Sequence, residues 1–369
     1  MTDTLEVVYR DLCDEHLVIL GESGAHGDKN ALSFKALLVE TLVSKCNFNV
    51  VLFEASFYDL KKVEILSNNG TKISAETLSS AIGVIHNQNY EMHPLINFLT
   101  RKVNSNSLLV GGIDDQLGSR GAFYSLKGMV SDLTSGIEGP QQDRCETLLK
   151  NRILYTFPKN DKYDEMKKTD IQTCLKYAAK GIENKELNSK LKLNYELMIK
   201  NFDRAVARDF IDESEYVFMR DYSMYLNVLN YLEIDREATD KIIIWSTNDH
   251  VAKRSEDLVQ YQVGKNMGTY LSENQKQESV TVGFTALEGT TRVFGSNVKE
   301  IPLKSSISIE AYAYNKDRPV KGYLTSNDLV SLKLAEGSLF MHETDTKDWH
   351  TLFDIIVVFE NEEPSRREG

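Results

Sequence analysis

A histidine and two glutamates follow two short apolar segments near the start of the chain. The first apolar segment, 16–20, leads into a glycine-containing turn that carries Glu22 and His26, and the second, 49–53, is followed directly by Glu54. A histidine with a pKa of about 6.5 is the natural general base at neutral pH, and a carboxylate commonly fixes its tautomer. Short apolar segments predict buried strands, and ligands collect where parallel strands end. The sequence therefore predicts a candidate active site in which Glu22 or Glu54 orients His26.

Polar groups also follow two later apolar segments. The segment 241–245 is followed by Ser246-Thr247-Asn248-Asp249-His250, and the segment 108–110 is followed by Gly111-Gly112-Ile113-Asp114-Asp115. Several strands that end in such groups are a stronger indication of a site than any one of them. The candidates from these segments are His250 for catalysis and Asp114, Thr247 and Asn248 for contact with the substrate.

Structural roles are the alternative explanation for these residues. Asp114 and Asp115 fit turn and capping chemistry equally well. Glu54 could cap the helix that begins near Ser56. A histidine in a turn, such as His26, is more often structural than catalytic when it is considered alone.

Charge and cysteine content limit the classes of partner. The formal net charge of −12 over 369 residues disfavours a protein that grips phosphate backbones, so we expect no nucleic-acid partner. The N-terminal residues lack the features of a signal peptide, and no apolar run approaches the roughly 20 residues that span a bilayer, so we expect a cytoplasmic protein without a membrane partner. The four cysteines show no CxxC pair and no zinc-like spacing, and we expect reduced thiols at Cys13, Cys46, Cys145 and Cys174.

The elements that must position the site follow an α/β rhythm. Strand and helix patterns alternate through residues 1–140, which predicts the first part of an α/β domain with a mainly parallel mixed sheet flanked by helices. Residues 141–235 carry apolar side chains at three- and four-residue spacing and predict a helical insertion over the cleft, although a simple scaffold is equally consistent with the pattern. Strand character returns over 236–360, the second part of the domain. The charged segment 361–369 is predicted to be a flexible tail.

Other chemistries find less support in the sequence. No serine lies in a Gly-x-Ser-x-Gly elbow, and neither a P-loop nor a dinucleotide-binding fingerprint is present. His86 and His93, in helical surroundings, carry less weight than His26 and His250. Glu22, His26, Glu54 and His250 could in principle hold a metal, but no ligand spacing such as His-Glu-x-x-His supports one. We therefore expect no cofactor, with a metal left open.

Several of these motifs together resemble the erythromycin esterase family. The family opens with Gly-Glu-x-x-His-Gly, has a basic residue nine positions after the histidine and continues with a strand that ends Phe-Glu-Ala. Here Lys35 stands nine residues after His26, and Phe53-Glu54-Ala55 follows. Further similarities, in the family's order, are Gly112 to Gln116, Met219 to Val228, Trp245 to His250, Met267 to Leu271, Val282 to Phe284 and Phe353-Asp354.

The resemblance implies a central mixed sheet with flanking helices and a helical insertion that frames the cleft. It also implies the cleavage of a carboxylic ester or lactone, in the best-known members the macrolactone of a macrolide antibiotic. By this resemblance His26 would deprotonate a water molecule without a covalent serine intermediate, and Glu54 or Glu22 would orient the histidine or the water. Lys35 and His250 would polarise the carbonyl or hold the oxyanion. The implied partner is a small-molecule ester, and the sequence gives no indication of the oligomeric state.

The chain departs from the family pattern at three positions. Three residues instead of two separate Glu22 from His26, Lys35 replaces an arginine in the macrolide-active members, and Thr247 replaces a histidine. A lysine cannot make the bidentate contacts of an arginine. The missing histidine is the main support for a second hypothesis, a diverged homologue that binds a small molecule or a metal without hydrolysing an ester. The retention of His26, Glu54 and His250 together favours the first hypothesis, an ester hydrolase.

Overall fold

The computed structural model describes residues 2–24, 26–118, 123–159, 161–233, 240–258, 264–274, 279–293 and 297–367. The strands in chain order are β1 (Leu17–Leu20), β2 (Val50–Ser56), β3 (Leu109–Asp114), β4 (Ile242–Trp245), β5 (Ser279–Arg292), β6 (Val298–Ile301), β7 (Tyr323–Leu324), β8 (Leu334–Phe340), β9 (Glu343–Asp348) and β10 (Ile355–Glu362). The helices are α1 (Thr2–Leu12), α2 (Lys29–Lys45), α3 (Phe57–Asn68), α4 (Ala75–Ile82), α5 (Val84–Asn87), α6 (His93–Asn104), α7 (Met129–Thr134), α8 (Pro140–Leu154), α9 (Glu165–Asn184), α10 (Ser189–Ala207), α11 (Glu213–Glu233), α12 (Asn248–Val251), α13 (Met267–Asn274), α14 (Ile309–Ala313) and α15 (Ser326–Leu332).

One mainly parallel sheet organises the fold. Its strand order is β3-β2-β4-β1-β5-β10-β7, and β6 pairs with the end of β5. The pairs from β3 to β10 are parallel, whereas β7 and β6 pair in the antiparallel sense. Helices cover both faces, so the predicted class, a mixed and mainly parallel sheet flanked by helices, is confirmed.

Buried strands divide their side chains between the two faces of the sheet. In β1, Leu17 and Ile19 join an apolar cluster that includes α8 to α11, whereas Val18 and Leu20 join a second cluster that includes α2, α4 and α6. This alternation follows from the two-residue period of a strand. All four residues of β1 and of β4 are buried, which is why both read as continuous apolar runs in the sequence.

The helical block consists of α8, α9, α10 and α11. It packs on the face of the sheet that Leu17 and Ile19 share. The helix α11 reaches the end of β3, where the Asn227 amide donates to the carbonyl oxygen of Ile113 at 2.8 Å. The block therefore lies over the strand ends that carry Asp114 and its neighbours. Among the described residues, no helix is both long enough and apolar enough to cross a lipid bilayer.

The prediction of reduced thiols is wrong. Cys13 is bonded to Cys46, and Cys145 is bonded to Cys174. The bonded cysteines are 33 and 29 residues apart in the sequence. Such wide spacing does not indicate a disulfide pair. The first bond joins the end of α1 to the end of α2, and the second joins α8 to α9. Each pair is brought together by helix packing, which spacing alone does not reveal.

The end of the chain is also ordered where fraying is expected. The strand β10 continues to Glu362, and Ser365 is fully buried. Pro364 and Arg367 form isolated bridges to Asp28 and Asn89. The segment is polar, but its backbone groups find partners in the turn that carries His26. The described part of 361–369 is therefore packed, and the last two residues lie outside the described range.

Candidate active site

Four neighbouring strands end at the same edge of the sheet. In the order β3, β2, β4 and β1, their carboxyl ends present Asp114, Glu54, the segment 246–250 and Glu22. The structure thus brings together residues that are up to 228 positions apart in the sequence, as Glu22 and His250 are. Such an edge is where parallel α/β sheets place their ligands.

Glu22 and His26 form a buried dyad. Nδ1 of His26 lies 2.8 Å from Oε1 of Glu22, and both residues are buried. Burial alone would raise the pKa of Glu22, but Lys35 and His26 outweigh it and lower that pKa to about 2. Because the carboxylate is ionised it can only accept, so Nδ1 of a neutral His26 carries the proton. Nε2 then keeps a lone pair that can take a proton from water.

The backbone around His26 is held in an uncommon conformation. His26 has a φ of 52°, in the left-handed region that few residues other than glycine adopt. The carbonyl oxygen of the next residue, Gly27, accepts from the Ser365 N–H at 2.7 Å and from the Arg292 N–H at 3.3 Å. A Cβ on Gly27 would lie 1.9 Å from the Arg292 carbonyl oxygen. Only glycine permits this close approach, which fixes the turn beneath the histidine.

Lys35 lies beneath the dyad rather than on its open side. Its Nζ is 3.3 Å from Oε2 of Glu22 and 4.0 Å from the centre of the Trp245 ring, and the residue is fully buried. Burial lowers the pKa of Lys35 to about 8, in spite of the opposing charge of Glu22. Its charge therefore acts on Glu22, and a direct contact with a substrate carbonyl, which the resemblance implies, does not fit this position.

A second cluster surrounds Glu54. Oε1 accepts from Nη2 of Arg220 at 2.8 Å, and Oε2 accepts from the Ser246 hydroxyl at 2.6 Å and from the Thr247 N–H at 3.3 Å. Burial would raise the pKa of Glu54, but His250 and Arg220 hold it well below its usual range. Both carboxylate oxygens are engaged, and His26 is paired with Glu22. Of the two partners left open for His26, the geometry selects Glu22.

His250 stands between two carboxylates. Its Nδ1 is 2.9 Å from Oδ1 of Asp221, and its Nε2 is 3.3 Å from Oε1 of Glu54. Burial would lower the pKa of His250, but Asp221 and Glu54 outweigh it and raise that pKa to about 10. Nη1 of Arg220 also lies 3.0 Å from Nε2, a contact that by itself would favour a neutral ring. Because Asp221 and Glu54 flank the imidazole ring, we assign His250 a positive charge at neutral pH.

Arg220 and Asp221 are site residues that the sequence reasoning did not select. Arg220 also donates from Nη2 to Oδ2 of Asp114 at 2.8 Å, so Asp114 is occupied by an ion pair. Both residues lie on α11, inside the block that sequence alone leaves open as scaffold or lid. The sequence does contain one signal for Asp221. Met224, Tyr225 and Val228 follow it by three, four and seven positions, so Asp221 lies on the same buried apolar face of the helix. A carboxylate on such a stripe needs a partner.

Thr247 and Asn248 have different positions in the site. Thr247 precedes α12 and donates its N–H to Glu54, at the edge of the second cluster. The Asn248 amide donates to the carbonyl oxygens of Phe284 and Leu339, at 2.8 and 2.7 Å, and its Oδ1 accepts from the Phe284 N–H. Asn248 is fully buried and tied to β5 and β8, so we assign it to the scaffold rather than to substrate contact.

His86 is a further histidine beside the dyad. Its ring lies edge-on to the His26 ring, with centroids 5.7 Å apart, and the residue is fully buried. Burial lowers the pKa of His86 to about 4, so the ring is neutral. Nε2 lies 3.4 Å from the Glu54 carbonyl oxygen. Its position in a short helix, α5, far from any strand end in the sequence, gives no signal of this proximity.

The chain is similar in sequence and in structure to several known proteins. The relative "Putative hydrolase YbfO" of Bacillus subtilis (strain 168) is 22% identical over 374 residues, which cover 93% of this chain and 80% of that protein. A solved structure of a Bacillus cereus protein has a TM-score of 0.74 at 15% identity and covers 100% of this chain and 94% of its own. A succinoglycan biosynthesis protein has a TM-score of 0.72 at 14% identity, with 97% and 91% covered.

The erythromycin esterase EreC, in the open conformation of a histidine-to-asparagine mutant, matches with a TM-score of 0.68 at 15% identity over 98% of this chain and 94% of its own. These structures share the fold. The sequence model of the family named erythromycin esterase matches residues 43–355 and begins after Glu22, His26 and Lys35. The family and the Bacillus subtilis relative support a hydrolase-type function. Since the match spans most of the sequence, the chain belongs to the erythromycin esterase family.

Proposed function

We propose that the protein hydrolyses a carboxylic ester or lactone with water activated by His26. The observation that carries the proposal is the Glu22–His26 dyad, in which an ionised, buried carboxylate holds Nδ1 and leaves Nε2 with a lone pair. A histidine oriented in this way by a carboxylate is the usual arrangement of a general base. The family membership and the hydrolase name of a relative support the same class of reaction.

In the proposed reaction Nε2 of His26 removes a proton from water as the oxygen attacks the carbonyl carbon. The carbonyl π electrons move to the oxygen, and the resulting oxyanion is stabilised by positive charge. The candidates for that charge are the Arg220 guanidinium and the charged His250 ring, both of which Glu54 holds in place. The tetrahedral intermediate then collapses, the bond to the alcohol oxygen breaks, and His26 returns its proton to that oxygen. No covalent enzyme intermediate is required.

The first test is hydrolysis of a panel of simple esters, lactones and macrolides by the purified protein. We expect turnover of at least one member, and we expect His26→Ala to lower kcat by a factor of about 10²–10⁴, the usual contribution of a general base. The matched control is His16→Ala, because His16 is exposed at the opposite end of β1 and makes no contact with the dyad. Urea unfolding of each variant separates a lost base from a lost fold.

Two outcomes would contradict the proposal. Turnover that survives in His26→Ala would remove His26 from the chemistry. Absence of turnover on the whole panel, together with tight binding of one member, would favour the alternative, a homologue that binds a small molecule without hydrolysing it. The replacement of a family histidine by Thr247 is the observation that motivates this alternative.

A further inference from the structure

We propose that Glu22, His26 and His86 form a binding site for a divalent transition-metal ion with the ligand preference of Zn²⁺. One ligand atom from each of these three residues lies within 4.8 Å of the other two, and all three residues are buried. One carboxylate and two imidazoles are a donor set that Zn²⁺ takes in proteins, with a fourth position open for water. The sequence spacing of 22, 26 and 86 does not suggest this set, because the fold alone brings His86 to the dyad.

The strongest single indication of a metal site is Nδ1 of His86. Its Nε2 faces the carbonyl oxygen of Glu54 at 3.4 Å. A carbonyl oxygen can only accept, so the ring proton belongs on Nε2, and Nδ1 carries a lone pair. Among the residues that the structure describes, Nδ1 has no hydrogen-bond partner, and it has no solvent exposure. A buried lone pair without a donor is costly, and a metal ion would satisfy it.

The geometry requires only small side-chain adjustments. Ligand atoms on a tetrahedral zinc ion lie roughly 3.4 Å apart, since each bond is about 2.1 Å long. The three ligand atoms now lie within 4.8 Å of one another. Rotation of the His26 and His86 rings, whose planes stand at 87° to each other, would bring these atoms to the shorter separation. Lys35 lies 3.3 Å from Oε2 of Glu22, and its charge opposes a cation there. Within the described part of the chain, Oε1 of Glu22 has two partners, the Nδ1 proton of His26 and the Trp245 indole N–H.

Metal binding would take His26 away from water. An ion on Nε2 uses the lone pair of the general base directly. An ion on Nδ1 displaces the single proton of the neutral ring, and that proton then moves to Nε2. In both cases a neutral ring has no lone pair left, so the bound ion inhibits hydrolysis. This consequence rests on the proposed function, whereas the binding itself does not.

The binding test uses chelator-treated, tag-free protein under non-reducing conditions. Co²⁺ is added as a visible probe for Zn²⁺, and Zn²⁺ binding is measured by calorimetry. We expect one ion per chain, a tetrahedral Co²⁺ spectrum and a Zn²⁺ affinity reduced at least tenfold in His86→Leu. The control His16→Ala should bind as the unmodified protein does. All four cysteines are in disulfides, so thiolates do not contribute to the spectrum.

A second variant keeps the test decisive if His86→Leu fails to fold. Glu22→Gln preserves the shape of the side chain and removes its charge, and it should also weaken Zn²⁺ binding at least tenfold. Thermal melting of each variant establishes that it is folded. No binding by the unmodified protein, or unchanged affinity in a folded His86→Leu or Glu22→Gln variant, would overturn the proposal.

An activity measurement separates this inference from the proposed function. If an ester substrate is found, turnover should fall in step with the Zn²⁺ binding curve, and His86→Leu should need at least tenfold more Zn²⁺ for the same loss. Turnover that rises with Zn²⁺ would overturn the inhibitory role. If no substrate is found, the Co²⁺ and Zn²⁺ titrations still decide whether the site exists.

Discussion

Glu22 pairs with two different groups through its two carboxylate oxygens. Oε1 faces His26 and Oε2 faces Lys35, and the residue is almost completely buried. A buried carboxylate costs free energy unless it is paired, and here the pairing keeps its pKa at about 2 in spite of burial. The lysine thus has a use that differs from oxyanion binding: it keeps Glu22 ionised, and an ionised Glu22 keeps the proton of His26 on Nδ1.

His250 should make stability depend on pH in the alkaline range. Its pKa in the folded protein is raised to about 10, above the value of about 6.5 in an unfolded chain. A raised pKa means that the charged form stabilises the fold, so the contribution is complete below about pH 6.5 and is lost as the pH rises through about 10. We expect the difference in unfolding free energy between the unmodified protein and His250→Gln to narrow over that interval.

Urea unfolding at a series of pH values from about 6 to about 10.5 measures this difference. The control is His16→Gln, because His16 is exposed and its replacement should leave the pH dependence unchanged. A constant difference between the unmodified protein and His250→Gln would show that His250 is neutral, with Nε2 accepting from Arg220.

At the scale of residues, the sequence predicts His26 and two candidate carboxylate partners, but not which of the two carboxylates pairs with it. Glu22, His26, Glu54 and His250 follow strand ends, and that position is visible from apolar runs and turns. The contacts of Lys35 depend on how α2 packs over β4, and His86 reaches the dyad through the path of the chain after α4. The contacts of Lys35 and the position of His86 both depend on long-range packing, so residue spacing in the sequence cannot predict them.

At the scale of elements, α11 contributes most to the second cluster. It carries Arg220 to Glu54 and Asp114 and carries Asp221 to His250. The neighbouring helices hold this block together, and a disulfide between Cys145 and Cys174 joins α8 to α9. The helical character of residues 141–235 is evident from periodicity, but which helix faces the sheet depends on long-range packing.

Removal of either disulfide should destabilise the protein. Each bond closes a loop, one of 33 and one of 29 residues, for which chain entropy gives a contribution of about 3–4 kcal/mol. The double variants Cys13→Ala/Cys46→Ala and Cys145→Ala/Cys174→Ala should each lose about that much unfolding free energy in urea. Because a reductant breaks both bonds, the unmodified protein should lose about the sum of the two contributions when a reductant is added. Double variants as stable as the unmodified protein would show that the bonds do not form.

At the scale of the whole molecule, the last described residues support the first turn of the site. Glu362 accepts from the N–H groups of Asn30 and Ala31, at 2.6 and 3.2 Å, and so caps α2, the helix that carries Lys35. The Ser365 N–H donates to Gly27, next to His26. Composition suggests fraying for this segment because it is polar and charged. The segment is ordered because its polar groups form hydrogen bonds with the turn and with the start of α2. Composition cannot indicate these bonds.

Ser365→Pro should lower turnover more than Ser365→Ala. Proline removes the N–H that donates to Gly27, whereas alanine removes only the hydroxyl that donates to Asn89 at 2.7 Å. If the C-terminal segment holds His26 in position, we expect a decrease in kcat with proline of about tenfold or more, the order of effect expected from a small displacement of a general base. Both variants should retain cooperative unfolding. Equal turnover in the two variants would show that the turn needs no support from Ser365.

The contact between Gly27 and Ser365 also bears on how the protein is made. The ribosome synthesises the chain from its N-terminus. The turn with His26 therefore leaves the ribosome more than 300 residues before Ser365, whose N–H binds the Gly27 carbonyl oxygen. During that interval β1 lacks its neighbours β4 and β5 as well. The dyad can therefore reach its final geometry only near the end of synthesis. A nascent chain of this protein therefore carries His26 early but brings Glu22 and His26 into their final arrangement late.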